Sequence, residues 1–592
     1  MAVSASRDAV AIETVEVKHE LSSGVAHRLA RSARISSSLE FPRETSLAFS
    51  PRRRTRRGVT PPRAGPMATA SVAFAFTASP SVPGARALGT SRRVRVSRRS
   101  VTRRGLGTSE DVAPNDPPER LGGHRDSSSR SRPSRARRSI ARAAPAAPPP
   151  DISSMRIAVV GAGPCGLTTA LALRHHGFTD VAVYDKYPTV RPALGAAFNL
   201  NGGAAVLEKL GLLSTFRRLN NPMRVVRTRR ATPDRTQLMR VDVPDLIRSD
   251  PTSRASLVAE DGEPVCGTVM RADLLRALAD ALPEDTLRLG REVTGARALD
   301  GPDGGASLVF ADGSTSDRFD LVVGADGIKS AVRASAFGDT PAKYSGIRIV
   351  FGCTAEGDES ASVSARDPAE HGEVHQWFGD GCYTLVYTAG GGETRRDAAK
   401  TRQHNIAVCV SDEPSTDENA EWTRAGGNDA AKTDADAKAA CLRAIDAYDM
   451  PEDVRRVAER CDRFFDVGVH YHDPLPRWRD ASGAVVLAGD SCHAMPPFLG
   501  QGANQSLQDA WCLAERLSKV GGAYGDVKEA LDAYESTRKP PTEQIMLSSR
   551  LIGFVETGRG PVALARDAAF LGLGAVGVAG KIFLKNAVPV LD

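Results

Sequence analysis

Ile157 to Val160 form a short β-branched apolar run, followed at once by glycines and then by Leu167, Ala170, Leu171 and Leu173 at helical spacing. A second such run, residues 181–183, ends on Tyr184 and Asp185. The pattern predicts strand, helix, strand over 155–186, the length of a parallel crossover unit. Residues 268–283 gather Leu274, Leu275, Leu278 and Leu282 on one side of a predicted helix, and "LVVGADGIKSAVRASAF" at 321–337 reads again as strand, glycine turn and helix. A further apolar strand at 485–488 runs into Gly489 and Asp490, then a Pro/Gly loop, then a helix.

Residues 236–267 and 340–475 follow another rhythm. Runs such as "SGIRIVFGCT" and "GCYTLVYTA" alternate in the manner of strands and are parted by glycine and acidic turns. The expected class is α/β: a discontinuous Rossmann-type domain over 151–235, 268–339 and 476–540, with a β-sheet domain inserted at 236–267 and 340–475. Residues 411–440 hold eight acids among Ser, Gly and Ala and are expected as an exposed insertion loop. Residues 541–592 are expected as C-terminal helices. Their longest apolar stretch, 568–580, falls short of the roughly 20 residues of a spanning helix. It reads as a packing helix, with a peripheral membrane contact as the other reading.

Charge separates the first 150 residues from the rest. They hold 28 basic residues, all but one Arg, against 11 acids, while the remainder holds 50 against 60. The formal +7 therefore belongs to the leader, and net charge gives no reason to expect nucleic-acid binding. Residues 51–109 contain 14 Arg and no acid, amid Ser, Thr, Ala and Pro, the composition of an organelle transit peptide. "MATASVAFAFTAS" from Met67 reads like a chloroplast transit start, so a plastid location is expected and Met67 is a candidate start. Nine scattered cysteines without paired spacing point to reduced thiols, with no metal site expected.

Gly161, Gly163 and Gly166 form GxGxxG between a predicted strand and helix. The first permits a tight turn, the second a close approach to pyrophosphate, the third close helix–strand packing. Asp185, at the end of the second strand, is placed to accept ribose hydroxyl bonds. These features point to a dinucleotide without choosing between NAD and FAD.

Two later segments, "GADGIKSAVR" and "LAGDSCHAMPPFLGQGANQ", resemble the remaining fingerprints of the group A FAD-dependent monooxygenases, the para-hydroxybenzoate hydroxylase-like family that includes salicylate and urate hydroxylases and zeaxanthin epoxidases. The resemblance spans about 155–540, and "GAAFNLNGGAAVLEKLGL" and "RADLLRAL" match weaker landmarks. It implies FAD as cofactor, NADPH or NADH as a transient reductant, O2 as co-substrate, and a flavin C4a-hydroperoxide as oxidant. Asp326 and Gly327 would lie in the motif tied to FAD and pyridine-nucleotide binding. Asp490, after Gly489, would contact the ribityl hydroxyls. Pro497, Gly500, Gln501, Gly502, Ala503 and Asn504 would wrap the isoalloxazine. Arg271 and Arg191 would approach the cofactor.

His493 is expected to be structural. Tyr383 and His375 are candidate catalytic residues on strands facing the flavin, with core packing as the competing reading. The substrate stays open between an aromatic acid and an isoprenoid or carotenoid, and the reaction between hydroxylation and epoxidation. "GQGANQ" looks closer to the aromatic-acid hydroxylases. The alternatives are a flavin-dependent reductase or dehydrogenase, and a flavin-binding protein without turnover.

Overall fold

The computed structural model describes residues 152–190, 197–301, 304–356, 372–392, 402–411, 430–575 and 577–591. The leader, Arg191, and residues 412–429 of the expected insertion lie outside them. A five-stranded parallel sheet runs in the order Val485–Leu487, Leu321–Gly324, Arg156–Val160, Asp180–Asp185, Leu287–Leu289. Its central strand is buried on both faces, which is why it reads as continuous apolar sequence and not as an alternation. Helix Pro164–His175 packs beneath it against helix Gly502–Leu517. Segments more than 300 residues apart thus complete one Rossmann-type layer.

A seven-stranded sheet forms the second layer, in the order Arg463–Tyr471, Lys343–Cys353, Gln403–Ser411, Cys382–Ala389, Glu373–Phe378, Val225–Arg230, Gln237–Asp242. It recruits Val225–Arg230, upstream of the border expected at 236. Its two faces have different neighbours. Trp377, Cys382, Val386, Ile406 and Val408 pack beneath helices Ala430–Ala447 and Glu452–Arg460. Phe378, Tyr383, Ile349 and Cys409 face Phe498 and Phe570 on the other side. We call these the outer and inner faces.

Several elements depart from the sequence expectation. Residues 430–440, expected as loop, begin helix Ala430–Ala447, and Ser411 ends a strand. The stretch 243–257, expected as strand-rich, forms helices Val243–Ser249 and Pro251–Leu257. Asp242 and Asp250 cap them, accepting from the amides of Asp245 and Ser253, and each has a proline in its first turn. The helix expected over 268–283 spans Arg271–Asp280, because Gly267–Val269 joins a small three-stranded sheet. Helix Val527–Glu556 runs unbroken across the border expected at 540. Helices Pro561–Ala575 and Val578–Ala587 follow. All nine cysteines are free and buried.

Candidate functional site

The first glycine loop shows which of its residues serve the fold and which face open space. Gly161 has φ +104°, and a methyl group there would lie 2.5 Å from the Ala325 carbonyl oxygen. At Gly166 a methyl would sit 1.9 Å from the Gly161 oxygen. At Gly163 it would meet nothing within 4 Å. Two glycines are therefore demanded by packing, and the third borders a void at the start of helix Pro164–His175, where helix amides favour an anion. Asp185 braces this turn, accepting from the Ala162 amide at 2.7 Å and the Tyr187 amide at 2.9 Å. Its carboxylate retains lone pairs for a ribose.

Asp490 follows Gly489, which has φ +67°. Protein surrounds its carboxylate and burial raises it above the ordinary range, opposed by His493 and Arg271, yet the residue is accessible. It therefore lines an internal cleft. The neighbouring groups hold the turn. His493 Nε2 meets Asp509 Oδ2 at 2.5 Å, the Gly489 amide donates to the same oxygen at 3.0 Å, and Arg538 Nε donates to Asp509 Oδ1 at 2.9 Å. Burial alone would raise the Asp509 carboxyl; His493 and Arg538 outweigh it and hold it below its ordinary value. Trp478 packs against His493 in a tilted arrangement, with ring centroids 5.4 Å apart. His493 is thus held inside the protein, away from the cleft.

The Pro/Gly loop reaches Gly500 in the left-handed region, φ +62°, and then enters helix Gly502–Leu517. Asn504 is its organiser. Its Oδ1 accepts from the amides of Asn201 and Gly203, and its Nδ2 donates to the carbonyls of Asn199 and Gly500. All four of its side-chain bonds are made to protein, so Asn504 shapes the loop and does not offer its amide to a ring. Gln501 likewise turns inward, accepting from Gln505 at 3.0 Å. What stays accessible is the helix start at Gly502 and Ala503, whose first-turn amides lack intrahelical acceptors, while Asn504 is wholly buried. A methyl at Gly502 would lie 3.8 Å from Asp490 Oδ1, so acceptor and donors share one cleft.

Asp326 sits at the mouth of strand Leu321–Gly324. It accepts from the Ser330 hydroxyl at 2.5 Å and the Val332 amide at 3.1 Å, which fixes the turn at Gly327, φ +81°. The Arg271 guanidinium lies 5.7 Å from the Phe198 ring centroid.

The inner face of the seven-stranded sheet closes the other side. Phe498 of the Pro/Gly loop packs against it, so closely to the long helix that a methyl at Gly553 would be 2.2 Å from its ring. Tyr383 and Tyr387 point to this face, and Tyr387 Oη donates to the Ala197 carbonyl at 3.4 Å. Burial, then Glu556, push the Tyr383 hydroxyl well above its ordinary value, so it is no ready base. His375 lies on the outer face, pairing across strands with Val386 and contacting Arg229 at 3.0 Å. The two candidate catalytic residues are therefore on opposite sides of one sheet, because 375 and 386 share a register position and 383 has the other parity. Only Tyr383 faces the cleft side.

Three buried residues escaped the sequence reading: Asp509, Arg538 and Glu556. Glu556, 4 % exposed, lies beside Tyr383 and Cys409; burial pushes its carboxyl up to about 8 against the pull of Arg566. The available signal was a charge on an otherwise apolar helix face, as at Asp509 between Leu507, Ala510 and Leu513.

The void at Gly163, the acceptor Asp490 and the helix-start amides form a donor and acceptor set that fits FAD: pyrophosphate, ribityl hydroxyls and the pyrimidine-edge carbonyl in turn. Comparisons agree. A model of the "FAD binding domain" family matches residues 154–549. A 3-amino-4-hydroxybenzoate 2-monooxygenase of Streptomyces cremeus is 34% identical over 397 residues, covering 67% of this chain and 86% of the relative. A salicylate hydroxylase of Pseudomonas putida is 28% identical over 428 residues, covering 70% and 88%. The crystal structure of Klebsiella pneumoniae HpxO complexed with FAD and uric acid aligns with TM-score 0.58 at 21% identity, covering 74% of this chain and 97% of that one.

Proposed function

Since the chain belongs to the FAD-binding-domain family of flavin-dependent monooxygenases, we propose that it is an oxidoreductase that uses NADPH or NADH and O2 to hydroxylate a small aromatic substrate. The observation that carries this reading is the shared placement of an accessible acceptor, Asp490, and the helix-start amides, with Asp490 Oδ1 3.8 Å from a methyl placed at Gly502. FAD, when bound, supplies the two-electron chemistry with O2 that no protein side chain can provide. The chain's own residues do the rest.

Asp490 accepts hydrogen bonds from the sugar-alcohol chain, and Asp185 from the ribose. The amides of Gly502 and Ala503 would donate to the pyrimidine edge, where a reduced flavin carries negative charge; held rigidly by Asn504, they would stabilise it without reorganising. Phe498, Tyr383, Tyr387 and the aliphatic inner face exclude water from the reacting side. Aromatic hydroxylation is favoured over isoprenoid epoxidation by relatives named for 3-amino-4-hydroxybenzoate and salicylate. A plastid location, proposed from the Arg-rich leader, is tested by recovering the native N-terminus.

The test is made on purified protein. Bound FAD is read by absorbance, then the reduced protein is mixed with O2 and an absorbance transient of an oxygen adduct at flavin C4a is sought. Phenolic and aminophenolic acids are screened with 18O2. Product carrying 18O supports hydroxylation. Reoxidation without a transient, and without labelled product from any acid in the screen, favours a reductase.

A further inference from the structure

Helix Pro561–Ala575 has its polarity reversed. Its two charged residues, Arg566 and Asp567, are buried and bonded to each other at 2.9 Å, and Asp567 also holds Arg230 at 2.8 Å. Its exposed positions are apolar throughout, from Leu564 at 70% through Ala568 to Leu571 at 51%. The end of the preceding long helix adds exposed apolar side chains, although Ile545 and Met546 are buried there as well. Thr542, Ser549 and Glu556 are buried, while Leu547, Leu551 and Phe554, on one face at i, i+4 and i+7, are 58%, 58% and 64% exposed. A helix in water places its charges outward. A helix that does the opposite, continuous with a row of exposed Leu and Phe on the helix before it, is arranged for an apolar surrounding.

The rim says which. Residues 557–592 contain two acids, the buried Asp567 and Asp592, which lies outside the described residues, while Arg559, Lys581 and Lys585 are exposed, the two lysines one turn apart on the last helix. Among the described residues neither lysine forms an ion pair. A second copy packed on this face by two-fold symmetry would bring this cationic rim against itself. An anionic lipid surface matches both the apolar centre and the rim. No single helix among the described residues is long and apolar enough to cross a bilayer, and the last two are bent by 84°. That geometry suits a surface seat and not a span.

We propose that this face, formed by the end of helix Val527–Glu556, helix Pro561–Ala575 and Lys581 with Lys585, docks the protein on an anionic lipid bilayer. The inference rests on burial and charge and stands apart from the flavin reading.

The experiment must separate this face from the leader, whose 28 basic residues would attract anionic vesicles on their own. Because all nine native cysteines are buried, Leu551→Cys in the full chain takes an environment-sensitive fluorophore at one place, and Ser536→Cys, exposed on the same helix, serves as control. Vesicles of phosphatidylcholine with about 30% phosphatidylglycerol are added. Emission at 551 is expected to rise about threefold and shift to the blue, with 536 unchanged. The proposal is overturned by protein that floats with the vesicles while 551 stays unchanged, which assigns binding to the leader. It is overturned equally by a shift at 551 that follows protein concentration without lipid, which assigns a second copy, or by protein that binds no vesicles.

Discussion

Arg538 Nε donates to Asp509 Oδ1 at 2.9 Å with neither side chain exposed at all. The pair joins two helices, Gly502–Leu517 and Val527–Glu556, beneath the Gly489–Asp490 turn. Arg538 also donates to Gln508 and to the Val590 carbonyl, so the C-terminus is tied to the same point. Breaking a buried pair costs up to about 3–5 kcal/mol, and removing Arg538 leaves the buried Asp509 with His493 and the Gly489 amide, so the loss falls toward the lower end. Arg538→Met is expected to lower the midpoint of denaturant unfolding and to release flavin on dilution; a variant with wild-type midpoint would show that the pair does not carry the turn.

Gly163 and Gly166 make a paired test of the cofactor site. Gly166→Ala should destabilise the protein whether or not FAD is present, because its methyl meets the Gly161 oxygen. Gly163→Val has open space on the protein side and should leave the melting temperature of flavin-free protein within about 2 °C, in keeping with a surface change. It should nonetheless abolish FAD retention. Fluorescence titration with FAD distinguishes the two, and undiminished binding by Gly163→Val would move the pyrophosphate elsewhere.

Asp490→Ala removes an acceptor inside the cleft and adds no bulk. Hydrogen bonds to a charged group contribute about 1.5–3 kcal/mol, which corresponds to a loss of roughly tenfold or more in FAD affinity. The ratio of flavin to protein absorbance after gel filtration measures it. A variant that purifies fully yellow would refute the assignment.

Glu556 gives the pH dependence a sign. Its folded value is about 8 against an ordinary 4.5, so the folded state holds a proton that the unfolded state releases. The associated stability is full below about pH 4.5, falls as pH rises toward 8, and is flat above. The slope approaches 1.4 kcal/mol per pH unit within that window. Glu556→Gln should remove this slope, so its advantage in unfolding free energy over the native sequence should grow from pH 5 to about 8. A difference independent of pH would place the proton elsewhere.

The parallel sheet and its glycine loop were legible because buried parallel strands and GxGxxG are local patterns. The inserted sheet was less so. Short capped helices at 243–257 were hidden in a stretch whose apolar residues suit either period, and the caps at Asp242 and Asp250 carried the missing information. The site followed the same division. The positions of Gly163 and Asp490 follow from chain order, whereas the protein partners that the side chains of Asn504 and Gln501 take are not revealed by sequence spacing. Face assignment at 375 and 383 depended on register, which only strand pairing fixes.

Burial of every cysteine has a chemical consequence for a protein that handles O2. Flavin chemistry that fails to couple to substrate releases hydrogen peroxide, which attacks thiolates and not thiols. Each of the nine thiols is pushed above its ordinary value by desolvation, from Cys165 and Cys492 beside the glycine turns to Cys382 and Cys409 on the sheet. The packing that builds the site therefore also leaves such peroxide no cysteine thiolate to oxidise.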